Sequence, residues 1–279
     1  KALMLFQKQP TAEQFGPIYQ EVAVATEHAL AATRLESRNA QNWLVLGFLY
    51  ERIMGFTKGA DEHAIVNFER AAALEPTSPI EPTEIGNVWF TRAEAARSLM
   101  GTKDRNTAKR AGEEFLQALQ KSEESLKKAI ALKSDYLPAH YRLAAIAERR
   151  GRLPEAIREL ETIIRINNKD AGIAFELAIL YYRNRERERA RLLLEQVVRA
   201  QQNNENARWY LAALYEEEGR LDDALALLRP LLVKMPSNLA VQERIRRLEG
   251  GVRPATGELR EEFLPEPLPF SNGGMKGAP

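Results

Sequence analysis

The sequence predicts an all-α protein, a solenoid in which helical hairpins stack in series. The first observation is a period of 34 residues that runs through the C-terminal half of the chain. The second is that apolar residues inside each repeat recur at the three- and four-residue spacing of helices. The third is a glycine-containing break in the middle of most repeats, which divides each repeat into two helices. One such hairpin cannot bury its apolar face alone, so we predict that the array folds as a unit.

Four sets of residues carry the 34-residue period. They are Leu143, Leu177 and Leu211; Ala144, Ala178 and Ala212; Ala156, Ala190 and Ala224; and Leu160, Leu194 and Leu228. Small residues allow two helices to cross closely, and leucines fill the space between neighbouring hairpins. The period therefore predicts three regular repeats over residues 137–238.

An earlier part of the chain contains a motif that resembles the tetratricopeptide repeat. The residues that follow the pattern of that family, in order, are Trp43, Leu46, Gly47, Tyr50, Ala64, Phe68, Ala71 and Pro76. The resemblance covers residues 40–78 and 137–238. It implies a right-handed α-solenoid of roughly five repeats, and a role in protein–protein interaction.

Two segments before residue 137 depart from the regular pattern. Residues 1–39 contain alanines at the spacing of a second helix, which predicts a partial N-terminal repeat. Residues 79–136 start like a repeat, but the second helix ends late. We therefore predict a divergent repeat with two elongated helices, at about 83–100 and 105–132.

The C-terminal end is predicted to have a cap and a tail. Residues 239–249 are predicted to be a capping helix that presents Arg244, Arg246 and Arg247 to solvent, because the last repeat of an array needs a polar outer face. Residues 250–279 are rich in proline and glycine and lack a helical period. This composition predicts an extended tail.

Composition and motifs exclude several classes of function. The chain has 279 residues, 40 basic against 39 acidic residues and no cysteine, which disfavours a dedicated nucleic-acid binder and excludes thiolate chemistry. Its histidines match no metal-ligand spacing, and no catalytic motif is present. We interpret paired carboxylates such as Glu216 and Glu217 as solvated, and the Arg-rich run 183–191 as a turn with paired charges. We therefore predict a protein that is not an enzyme and has no cofactor, no metal, no nucleic-acid partner and no membrane span.

The first helices of the repeats are expected to place an apolar groove on the concave side. Mapped from the family's geometry, its residues are Leu44, Phe48, Tyr141, Phe175, Ile179, Tyr182 and Trp209. The resemblance implies an aromatic column there, with Arg142, Arg149 and Arg183 near its wall. The same spacing also fits rings that pack against neighbouring helices as core. The groove interpretation predicts binding of an extended peptide.

The tail has the chemistry of such a peptide. Its apolar anchors are Phe263, Leu264, Leu268 and Phe270. Prolines reduce the entropy lost on binding, and nearby glutamates could pair with the groove arginines. We therefore expect further copies of the chain as partners, joined head to tail into a ring or filament by docking of the tail in trans. Docking of the tail in cis, and a monomeric scaffold for a foreign peptide, remain alternatives.

A second resemblance concerns the location of the protein. Residues from Ala25 to Pro76, with the Gly55–Gly59 loop and the context of Trp43, resemble the soluble repeat region of bacterial O-antigen-ligase-like membrane proteins. This implies an extracytoplasmic or cell-surface location with envelope association, whereas a cytoplasmic location is the alternative. It also allows a role as accessory domain of an envelope glycan enzyme.

Overall fold

The structure is a computed structural model that describes residues 12–250, with side chains from residue 20 onward. The described part contains twelve helices and no strand. In chain order they are α1 (Ala12–Leu35), α2 (Ala40–Arg52), α3 (Ala60–Leu74), α4 (Ile80–Leu99), α5 (Arg105–Leu132), α6 (Leu137–Arg149), α7 (Leu153–Ile166), α8 (Ala171–Arg183), α9 (Arg187–Ala200), α10 (Glu205–Glu217), α11 (Leu221–Lys234) and α12 (Leu239–Glu249). The tail anchors Phe263, Leu264, Leu268 and Phe270 lie outside the described residues. No helix of the described part is both long and apolar enough to cross a bilayer.

The chain divides into two compact units, with the boundary between Ile166 and Asn167. Unit 1 contains α1 to α7, and unit 2 contains α8 to α12. In both units consecutive helices pack against each other as hairpins. The 34-residue period of the sequence gives no sign of this boundary.

Two glycines set how closely the helices cross in the first two hairpins. A Cβ atom added at Gly47 would lie 2.5 Å from the Phe68 ring, and one at Gly86 would lie 2.7 Å from the Leu126 side chain. Both partner side chains are fully buried. In the second hairpin the Ser122 hydroxyl also donates a 2.7 Å hydrogen bond to the Gly86 carbonyl oxygen. Because a larger residue would clash, glycine is needed at both crossings.

The turns that follow α6, α8 and α10 each contain a residue whose backbone lies in the left-handed region, with a positive φ angle. Gly151, Arg185 and Gly219 have φ angles of 69°, 65° and 77° respectively, and they are 34 residues apart. Arg185 therefore occupies a position where glycine is favoured. The N-terminal caps of α8, α10 and α12 follow the same period. Asp170, Asn204 and Asn238 each accept a backbone N–H hydrogen bond with a side-chain oxygen.

The cap helix α12 does not turn all its arginines outward. Arg246 is exposed, but Arg244 is only 5% exposed and hydrogen-bonds the buried Glu216 of α10. The prediction that Arg244 faces solvent is therefore wrong, as is the prediction that Glu216 is solvated. The two opposite charges compensate each other, and this allows both to be buried.

Candidate peptide-binding face

The seven predicted groove residues are divided between the two units. Leu44, Phe48 and Tyr141 belong to unit 1, whereas Phe175, Ile179, Tyr182 and Trp209 belong to unit 2. Leu44 and Tyr182 are each 7% exposed, and the other five are partly exposed. Each unit therefore offers its own part of the predicted groove.

In unit 1 the apolar groove residues of α2 are tied to the core. Leu44 lies in a buried cluster that contains Ala64 and Phe68. Phe48 meets the Phe68 ring edge to face, with 5.4 Å between ring centroids. These contacts fix Phe48 from behind while part of it stays accessible.

Charged side chains from α2, α4 and α6 also interact with one another in unit 1. Arg142 donates a 2.8 Å hydrogen bond from Nε to Asn87 Oδ1, and its guanidinium lies 4.5 Å from the centre of the Phe90 ring. Glu51 and Glu84 are close enough to Arg142 and to each other to interact electrostatically. Burial is the main cause that raises the pKa of Glu51 to about 7, and it raises the pKa of Glu84 as well. The nearby guanidinium groups of Arg142 and Arg52 thus do not offset the effect of burial on the two carboxyl groups.

In unit 2 a buried tyrosine supports two of the predicted groove residues. The rings of Phe175 and Tyr182 each lie 6.0 Å from that of Tyr210, both in edge-to-face geometry. Tyr210 is fully buried, whereas Phe175 and Ile179 are partly exposed on α8. The buried ring therefore holds Phe175 in one orientation at the surface of the unit.

Tyr182 is held by polar contacts as well. Its hydroxyl donates a 3.2 Å hydrogen bond to Glu217 Oε1, and the Arg187 guanidinium lies 4.0 Å from the centre of its ring. Arg187 also pairs with Glu217 across 3.0 Å. Burial and the neighbouring Glu217 raise the pKa of the Tyr182 hydroxyl, so it stays neutral. These contacts give Tyr182 a structural role beneath the face.

Trp209 is the predicted groove residue of α10, and it packs against the core that α10, α11 and α12 form. The ring is partly exposed, and the Arg244 guanidinium lies 4.2 Å from its centre. Arg244 also donates a 3.2 Å hydrogen bond to the Trp209 carbonyl oxygen, while Arg247 binds Glu216 at 2.9 Å. Glu216 is 3% exposed, so both of its oxygens are satisfied by arginines of α12. The cap helix thereby fixes the tryptophan in place.

Two of the three predicted wall arginines are engaged within unit 1. Arg149 forms a 2.8 Å ion pair with Glu94, and Arg142 is bonded to Asn87 as described above. Pairing with acids of a peptide would require these side chains to exchange partners. The evidence for a binding face therefore comes more from its apolar side chains than from its charged ones.

Sequence reasoning missed the residues that support the face from behind. Tyr210 was not distinguished from other apolar helix positions, and Glu216 was interpreted as a surface carboxylate. The repeat pattern gave no signal for the second, because Glu216 of α10 and Arg244 of α12 are 28 residues apart and do not follow the 34-residue period. Among the side chains that the structure describes, no cluster of histidine and acidic residues could hold a metal ion.

Comparisons with known proteins identify the repeats. Two family models, both described as tetratricopeptide repeat, match residues 106–171 and 149–207. No curated protein sequence matches the chain significantly. The resemblance to O-antigen-ligase-like proteins therefore receives no support and stays a prediction.

Solved structures agree with the family models. The crystal structure of YrrB superposes with a TM-score of 0.57 at 13% identity, and covers 80% of this chain and 100% of its own. A structure of PilF from Pseudomonas aeruginosa gives a TM-score of 0.57 at 14% identity, and covers 90% of this chain and 94% of its own. At such identities the likeness concerns the fold. Tetratricopeptide-repeat proteins generally act as scaffolds for protein interaction. The predicted all-α class is confirmed, and tetratricopeptide repeats are found over residues 106–207.

Proposed function

We propose that this chain is a non-enzymatic interaction module that binds an extended apolar peptide on the face of unit 2. This face consists of Phe175 and Ile179 from α8 and Trp209 from α10. The observation that carries the proposal is that Phe175 is partly exposed while the buried Tyr210 ring holds it edge to face. A fixed aromatic side chain loses little entropy when a ligand covers it, which favours binding.

The rigidity of Trp209 supports the same proposal. Arg244 lies against its ring, and Arg244 is itself held by Glu216. Large aromatic side chains that are ordered before binding are the residues that contribute most at protein interfaces. YrrB, whose fold is similar, is described as a TPR protein with an unusual peptide-binding site.

The proposed occupant is the segment 258–270 of the chain itself, docked in a neighbouring copy. Its sequence ELREEFLPEPLPF contains the anchors Phe263, Leu264, Leu268 and Phe270. Proline-rich segments are partly ordered before they bind, so the entropic cost of docking is small. Docking in trans would join copies head to tail into a ring or a filament. A foreign peptide of the same apolar, proline-rich character would fit the same face.

A peptide titration tests the binding step. A fluorescein-labelled peptide of residues 258–270 is titrated with the chain that ends at Gly251, and anisotropy is measured. This deletion removes no residue of a described helix, and circular dichroism checks that helix content is kept. We expect saturable binding that Phe175→Ala weakens by about tenfold, in the range of aromatic hot spots. Trp89→Ala, which changes an aromatic residue of unit 1, is the matched control and should bind normally. Absence of binding by the folded chain would refute the proposal.

Light scattering separates docking in trans from docking in cis. If the tail joins copies, the mass of the intact chain should rise with concentration, and excess free peptide should lower it. The chain that ends at Gly251 should stay at the mass of one copy. A constant mass of the intact chain at all concentrations would favour docking in cis. The same mass distribution with and without the tail would show that the tail is not the connector.

The location is proposed as extracytoplasmic, at the cell surface. The support is the sequence resemblance of residues 25–76 to the soluble region of envelope proteins. Digestion of intact cells with an added protease tests this proposal, since a protein on the outside is cleaved while a cytoplasmic control protein is spared.

A further inference from the structure

The α4–α5 hairpin extends beyond its neighbours, and ion pairs mark where it does so. On one side Arg92 of α4 pairs with Asp61, which lies at the start of α3, across 3.0 Å. On the other side Glu94 of α4 pairs with Arg149, the last residue of α6, across 2.8 Å. Arg92 also pairs with Glu114 of α5 across 2.8 Å. Residues 95–113 continue from the level of these pairs to the turn of the hairpin, and we name them the α4–α5 tip.

The size of the tip follows from helix geometry. The part that belongs to α4 reaches Leu99, and the part that belongs to α5 starts at Arg105. At about 1.5 Å per residue these parts project by about 7 Å and about 13 Å. Ala96 and Ala111 are buried, which is the close packing expected between the two helices of the hairpin. The tip is thus an ordered projection rather than a loose loop.

The tip combines positive charge with exposed apolar side chains. It contains the basic residues Arg97, Lys103, Arg105, Lys109 and Arg110, against the two acidic residues Asp104 and Glu113. Leu99 is 52% exposed and Met100 is 43% exposed, next to each other at the turn. About half of the surface of each side chain stays in water, so apolar area at the turn is accessible to a partner.

Electrostatics also argues that the basic residues serve a partner. Lys103, Arg105 and Arg110 form no ion pair within the described part of the chain. The first turn of α5 contains Arg105, and the Asp104 carboxylate caps the helix by accepting hydrogen bonds from the backbone N–H groups of Asn106 and Thr107. Lys103 and Arg105 are exposed, so their charges are accessible to an anionic partner.

We propose that the α4–α5 tip docks on the surface of an anionic lipid bilayer. The cations contact lipid phosphates, and the side chains of Leu99 and Met100 enter the boundary between headgroups and acyl chains. A nucleic acid fits less well, because the tip has no aromatic residue to stack on bases and its apolar pair finds no contact on a phosphate backbone. Attachment would be peripheral.

Vesicle co-sedimentation of the intact chain tests the proposal. Vesicles of phosphatidylcholine alone are compared with vesicles that contain about 30% phosphatidylglycerol, at about 0.05 M and about 0.5 M salt. We expect at least tenfold stronger partition to the anionic vesicles at low salt, and loss of most of this preference at high salt. The double variant Lys103→Glu/Arg105→Glu should lower partition at least tenfold, and Leu99→Ser/Met100→Ser should lower it about fivefold.

A charge-matched variant controls for net charge. Lys128→Glu/Arg165→Glu makes the same change in charge at exposed sites outside the tip, and should partition nearly as the unchanged chain does. Circular dichroism checks that every variant keeps its helix content. The proposal is overturned if the intact chain partitions no more strongly to anionic vesicles than to neutral ones. It is also overturned if the control variant loses as much partition as the tip variants do. Binding to a DNA duplex but not to vesicles, lost in the tip variants, would also overturn it and identify a nucleic-acid partner.

Discussion

The Arg244 guanidinium of α12 lies 4.2 Å from the centre of the Trp209 ring of α10. The same guanidinium hydrogen-bonds the buried Glu216, also of α10. The last helix that the structure describes therefore does more than cover the end of unit 2. It positions the tryptophan that we place in the peptide-binding face.

Arg244→Ala is expected to destabilise unit 2 by about 3 kcal/mol, because it leaves Glu216 buried with one of its two guanidinium partners removed. Urea unfolding measures the change in the free energy of unfolding. Arg246→Ala, at an exposed position of the same helix, should change it by less than about 0.5 kcal/mol. Equal effects of the two variants would show that the buried ion pair does not hold α12 in place.

Arg185→Gly is expected to stabilise the chain by about 1 kcal/mol. Arg185 has a φ of 65°, and the equivalent positions 34 residues before and after it are Gly151 and Gly219. An L-residue with a side chain is strained in this region, whereas glycine is not. Thermal unfolding should show a higher midpoint for the variant. A lower midpoint would mean that contacts of the Arg185 side chain outweigh the backbone strain.

Gly47→Ala is expected to destabilise the first hairpin by about 1–3 kcal/mol, since the added Cβ would lie 2.5 Å from the buried Phe68 ring. Gly112→Ala is the matched control. No atom lies within 4 Å of its added Cβ, so alanine should raise stability by up to about 1 kcal/mol through helix propensity. Chemical unfolding compares the two, and a neutral Gly47→Ala would contradict the close crossing of α2 and α3.

Glu51 makes the stability of unit 1 depend on pH. Its pKa is raised from 4.5 to about 7 by burial and by Glu84, despite the nearby Arg52 and Arg142. The folded chain then holds a proton that the unfolded chain releases near pH 4.5. Stability should therefore fall as pH rises from about 4.5 to 7, by up to about 3 kcal/mol, and level off above. Burial raises the pKa of Glu84 too, so this carboxyl adds to the same trend.

Glu51→Gln removes the titrating group and tests this account. Thermal unfolding of the variant between pH 4.5 and 8 should show a flatter profile and a higher midpoint at pH 8 than the unchanged chain. A variant with the original pH profile would contradict the assignment to Glu51.

The sequence predicted the repeats well, because their period and small-residue crossings are local patterns. Gly47 and Phe68 were matched to the family pattern, and they do meet across α2 and α3. The pairing of Arg244 with Glu216 was not predicted, because the side-chain pattern of an end helix suggests solvent exposure. Burial of a charge depends on a partner from another helix, which periodicity alone does not reveal.

The same distinction applies to the candidate face. Position within the repeat pointed to Phe175 and Trp209, and both are partly exposed. The burial of Tyr182 and Leu44 depends on which neighbouring side chains fill the space, as Tyr210 and Phe68 do. Such packing is a property of the assembled helices, so the sequence pattern could not separate core rings from surface rings.

Fluorine NMR of the chain labelled with 5-fluorotryptophan tests the central claim most directly. The chain has three tryptophans, Trp43, Trp89 and Trp209, and only Trp209 belongs to the proposed face. In the chain that ends at Gly251, addition of the 258–270 peptide should move the Trp209 resonance and leave the other two unchanged. The Trp209 resonance of the intact chain should already lie near the peptide-bound position. A Trp209 resonance that is the same with the tail, without it and with saturating peptide would contradict the claim that this face binds the peptide.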